Sequence, residues 1–138
     1  MISGFVELPH TADWAIRVWA PDLAGIFKEA AIGMNTLAGI RIAEKPRISR
    51  TFESRAADAE ALLVDFLSEL VFTAEQENLA YDQFNVETEQ RTDMYLLLAR
   101  MEGARIIEQG KVVKAVTFHN LEIRSLDDGL EVELVFDV

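Results

Sequence analysis

The chain has 138 residues, of which 50% are hydrophobic and 27% charged, a composition that fits one water-soluble globular domain over 1–138 and excludes a disordered chain. Its 13 Lys and Arg stand against 24 Asp and Glu, and the net charge of -11 disfavours direct, unspecific binding to a phosphate backbone. With no cysteine, disulfide scaffolds, thiol catalysis and thiolate metal sites are excluded.

The N-terminal segment has no basic region, Glu7 interrupts it, and no apolar run approaches the roughly 20 residues of a spanning helix. A cytoplasmic protein with no membrane contact is expected. Phe5 and Val6 read as a short strand ending at Pro9, and 9–12 as a turn. Trp14, Ile16 and Val18 then alternate with Ala15, Arg17 and Trp19, the period of two of a half-buried strand.

Asp22 is placed to cap a helix carrying Leu23, Ile26, Phe27, Ala30, Met34 and Leu37, with Gly39 as its stop. A second helix starts near Asp58, carries Leu62, Leu63, Phe66, Leu67, Leu70, Val71 and Ala74 as one stripe, and ends near Asn78. Its acids Asp65, Glu69 and Glu75 read as a solvated face. Segments 47–54, 83–90, 94–102, 112–124 and 130–137 are rich in β-branched or alternating apolar residues and read as strands, with Asp127-Asp128-Gly129 turning the last hairpin. The fold expected is α+β, a single domain with two main helices packed on a largely antiparallel sheet.

Several residues carry candidate chemistry. Asp13 opens a strand after the turn holding His10 and Thr11. It shares alternation parity with Arg17, so it reads either as a functional carboxylate at a sheet edge or as a solvent-facing strand residue. Asp137 lies opposite the Leu130 to Phe136 stripe and is followed by Val138 with an α-carboxylate. These anionic oxygens, with a second Asp from elsewhere, suit a hard cation such as Ca²⁺ or Mg²⁺. The usual alternative is a frayed chain end, against which the apolar strand runs up to Phe136.

Lys114 shares strand parity with Val112, Val116 and Phe118, so it is either a paired or interface lysine or the mark of a sheet edge. His10 and His119, with Asp13 or Asp137, have the atoms of a zinc hydrolase site but none of the usual ligand spacing. There is no Gly-rich phosphate loop and no G-x-S-x-G elbow, so a stand-alone enzyme has little support.

Four segments read together resemble the archease family. Glu7-Leu-Pro-His10-Thr11-Ala12-Asp13 is similar to its H-T-A-D motif, and the stretch from Glu60 to Val71 to its second helix. Lys114-Ala-Val-Thr117-Phe-His119 is similar to its K-A-V-T-[YF]-H segment, and Phe136-Asp137-Val138 to its C-terminus. The resemblance implies a chaperone-like protein cofactor of an RtcB-type RNA ligase rather than an enzyme, promoting guanylylation of a ligase histidine and multiple turnover in tRNA splicing or RNA repair. It also implies a divalent metal, Ca²⁺ or Mg²⁺/Mn²⁺, on Asp13, Asp137 and Val138, with His10, Thr11, Lys114, Thr117 and His119 on the functional surface. Some members are linked instead to the specificity of a tRNA methyltransferase. Phe118 stands where Tyr is common in the family, which removes a phenolic hydroxyl. The stretch from Glu102 to Gly110 reads as a short loop before Lys114.

Overall fold

Asp22 and Asp58 start the two helices by the same device. In the computed structural model, which describes residues 1–9 and 13–138, the Asp22 side chain accepts the Gly25 N–H at 2.8 Å and opens α1 (Leu23–Leu37). The Asp58 side chain accepts the Ala61 N–H at 2.7 Å and opens α2 (Ala59–Glu77). Each cap satisfies an N–H that the first helical turn leaves without a partner. The first helix gives way to Gly39 at φ 67°, and the second ends on Asn78 at φ 54°, both in the left-handed conformation that closes a helix.

The remaining described elements are β1 (Gly4–Leu8), β2 (Trp14–Ala20), β3 (Arg41–Ile42), β4 (Ile48–Ala56), β5 (Leu79–Arg91), β6 (Met94–Glu108), β7 (Ala115–Val116), β8 (Arg124–Leu126) and β9 (Gly129–Asp137). They form two antiparallel sheets rather than one. The first runs β1-β2-β9-β7, with β8 also on β9; in the second, β6 pairs with β3, β4 and β5. Both helices touch both sheets, α1 through β1, β2, β9 and β5, and α2 through β4, β5, β6 and β7. Their apolar stripes therefore fill the space between the sheets.

Period-two alternation decides which strand face enters that core. Ile16, Val18, Val132, Leu134 and Phe136 are fully buried, while Arg17, Glu131 and Glu133 sit on the opposite face. At the centre, Phe27 of α1 stacks on Phe66 of α2 at 5.7 Å, and Phe66 meets Phe84 of β5 edge-on at 6.3 Å. Three elements, α1, α2 and β5, are joined at one side chain. No helix among the described residues is long and apolar enough to cross a membrane.

Two expectations from the sequence are corrected. The stretch 102–110 is not a loop, because β6 continues to Glu108: buried Ala104 and Ile106 alternate with exposed Arg105 and Ile107 while β3 and β5 pair alongside. Nor is 112–124 one strand. Only Ala115–Val116 and Arg124–Leu126 pair, Val113 and Val116 are buried three residues apart, and Asn120 turns the chain at φ 52°.

Candidate functional site

The site residues are gathered by strand register. Trp14 of β2 faces Phe136 of β9, and continuing that antiparallel register by one residue sets Asp13 beside Asp137. On the other side of β9, Ala115 faces Asp137, the Lys114 N–H donates to the Asp137 carbonyl at 2.7 Å, and the Thr117 N–H donates to the Val135 carbonyl at 3.0 Å. Asp13, Lys114, Thr117, Asp137 and Val138 thus share one end of the first sheet.

Packing fixes this end. Phe136 is fully buried, and Val138 packs half-buried against the core, so the last strand is anchored on both sides of Asp137. The Asp137 side chain points the other way and is exposed, as alternation requires. Asp13 is half-buried. Its parity mate Arg17 donates to Glu133 on the neighbouring strand at 3.1 Å.

Lys114 is exposed at an edge strand of the first sheet, which agrees with the sheet-edge reading of that residue. The apolar face expected around it is not formed: Val112 and Phe118 are 57% and 61% exposed, and only Val116 of the set is buried. His119 is exposed, its N–H donating to Thr117 Oγ1 at 3.3 Å and its Nε2 lying 3.3 Å from Asn120 Nδ2. His10 and Thr11 lie outside the described residues. Among the described residues no three His, Asp or Glu side chains converge as a metal-binding group; the His10 of the hydrolase constellation lies outside them.

Two contacts had escaped sequence reasoning. The Lys111 ammonium lies 4.7 Å from the centroid of the Trp14 ring, a cation–π contact one residue from Asp13. The Glu60 carboxylate of α2 accepts the Ile123 N–H at 2.8 Å, beneath the segment that carries His119. Neither has a local sequence signal, since each joins residues far apart in the chain.

Two arginine–carboxylate clusters lie about the second sheet. Arg47 bonds both Asp82 and Glu102, which raises its guanidinium further above its ordinary range, and Arg50 grips Glu77 at 2.7 and 3.1 Å, holding that carboxyl below its usual range. A concavity of about 820 Å³ on this sheet, lined by Glu53, Arg55, Glu87, Glu89, Leu96 and Leu98, contains none of the site residues. These pairs are saturated and solvent-exposed, the pattern of a charged outer surface.

The Archease protein family (MTH1598/TM1083) matches residues 5–138, from β1 to the last residue of the site. The chain belongs to the archease family. The protein archease of Pyrococcus furiosus is 32% identical over 125 residues, covering 87% of each chain. That of Pyrobaculum islandicum is 34% identical over 134 residues, covering 94% of this chain and 91% of the relative, and that of Methanothermobacter thermautotrophicus is 30% identical over 144 residues, covering 99% and 100%. The fold is similar to the solution structure of Methanobacterium thermoautotrophicum protein 1598, with a TM-score of 0.76, 28% identity and coverage of 98% and 99%. That likeness agrees with the α+β architecture expected from the sequence.

Proposed function

We propose that this chain is a protein activator of an RtcB-type RNA ligase, promoting guanylylation of a ligase histidine and hence multiple turnover in tRNA splicing or RNA repair. Family membership supports the class of role. The observation that carries the reading for this chain is the pairing of Trp14 with Phe136, which brings the adjoining Asp13 and Asp137 to one end of the sheet, with Lys114 on the opposite flank of β9. The net charge of -11 makes RNA a poor direct ligand, so the protein meets its RNA through the ligase.

Among the described residues this edge offers oxygen donors: the Asp13 and Asp137 carboxylates and the backbone oxygen of Val138. Such a set fits a hard divalent cation, Ca²⁺, Mg²⁺ or Mn²⁺. Asp13, Asp137 and Val138 would hold the ion, which when bound would supply a fixed positive charge at this edge. Phe136 and the flanking strands hold Asp137 in place, while exposed Lys114 and His119 face outward for the partner. Calorimetric titration with Mn²⁺ or Ca²⁺ is expected to show binding that Asp13→Ala and Asp137→Ala each abolish. Binding of equal strength in both variants would place the ion elsewhere.

The functional test is RNA ligation at limiting ligase, with GTP and divalent metal, using a ligase from the same source. The wild-type chain is expected to convert a reaction that stalls near one product per ligase into sustained turnover. An unchanged reaction would contradict the activator reading, and recovery of a tRNA methyltransferase on co-purification would then make that enzyme the partner.

A further inference from the structure

Glu60 occupies the first turn of α2, where an acid is ordinarily explained by the helix dipole. Its carboxylate also reaches 63 residues along the chain to accept the Ile123 N–H at 2.8 Å. Ile123 closes the segment that leaves β7 at Val116 and returns to β9 through β8. Within that segment every second amide is held. The Thr117 N–H donates to Val135 O at 3.0 Å, the His119 N–H to Thr117 Oγ1 at 3.3 Å, the Leu121 N–H to Phe118 O at 3.1 Å, and the Ile123 N–H to Glu60.

Asn120 takes the left-handed φ of 52° at the turn, a conformation that Asn adopts more readily than most residues. Leu121 and Ile123 pack against the core, and Phe118 and His119 are left exposed. A stretch with no regular secondary structure is thus pinned from both ends. The pin at the Ile123 end is a charged acceptor, the stronger kind of hydrogen bond, and without it the Ile123 amide loses its partner.

We infer that Glu60 is a positioning residue that clamps segment 117–123 onto the start of α2, so that Phe118 and His119 are presented pre-ordered to the ligase. The inference rests on the activator reading. Pre-ordering matters because a loop that is already fixed loses less entropy on docking, so the clamp acts on affinity rather than on the activating step. Phe118 is the apolar anchor of that contact, of the aromatic type that dominates interface energies.

The test combines amide hydrogen exchange on the full chain with titration of the ligation reaction. Glu60→Ala is expected to speed exchange over 117–123 by about tenfold and to raise the concentration giving half-maximal stimulation by about tenfold, with stimulation at saturation unchanged. Glu60→Gln retains an acceptor oxygen and is expected to stay within about threefold of wild type in both readouts. Phe118→Ser, at a site already exposed, is expected to raise the half-maximal concentration by about tenfold while exchange stays as in wild type. The inference is overturned if Glu60→Ala leaves exchange over 117–123 unchanged, or loosens it without moving the half-maximal concentration. A wild-type chain with no effect on the ligase removes the activator reading and this inference together. Normal wild-type stimulation with an unaffected Glu60→Ala removes the inference alone.

Discussion

Gly103→Ala is expected to destabilise the chain by about 3 kcal/mol or more, at the upper end of what overpacking costs. Gly103 is buried in β6, opposite Ile48 of β4 and Tyr81 of β5, where the register shifts between Tyr81 and Gln83. A Cβ there would overlap the Ala80 carbonyl oxygen and come to 2.6 Å from Tyr81 Cα. Both neighbours are backbone, so no rotamer change relieves the contact, and β5 must move off β6. Denaturant unfolding followed by circular dichroism checks this. A midpoint equal to that of wild type would mean that β5 and β6 do not approach as described.

Phe66→Ala is the second large effect, at about 3–5 kcal/mol for removing a fully buried aromatic from a core. The ring contacts Phe27 and Phe84 and so joins α1, α2 and β5; truncation leaves a cavity bordered by two rings that cannot both collapse into it. Phe72, on the same helix but 56% exposed, supplies the control. Phe72→Ala is expected to stay within about 0.5 kcal/mol of wild type. Equal losses for the two would contradict the placement of the core between the sheets.

Both helices were legible because two local signals coincide in each, an apolar stripe at helical spacing and an Asp cap ahead of it, at Asp22 and at Asp58. Strand β9 was legible for the same reason, its alternation starting from a hairpin turned at Asp127-Asp128. The far half of β6 was not. Gly103 reads as the start of a loop, whereas it is there because Ala80 and Tyr81 leave no space for a Cβ, a contact between strands that no window of sequence contains. The stretch 112–124 failed in the opposite sense. Its β-branched residues suggested a long strand, yet the chain spends most of it clamped between β9 and Glu60.

At the site, Asp13 and Asp137 could each be singled out from position alone, since one begins a strand and the other ends one. What joins them is the pairing of β2 with β9, a long-range register that follows only once the whole sheet is assembled. The Glu60–Ile123 and Lys111–Trp14 contacts are of the same kind. Local pattern nominates residues, and topology decides which of them meet.

If the Asp13–Asp137 edge serves activation of a ligase, as proposed, it governs the amount of guanylylated ligase formed from labelled GTP after one round of ligation. With the wild-type chain present, the guanylylated form is expected to be regenerated; with Asp137→Ala at equal concentration, it is expected to remain at the level seen without any activator. Regeneration to the same extent by Asp137→Ala would contradict the role assigned to this edge, and no regeneration by wild type would contradict the activator reading itself.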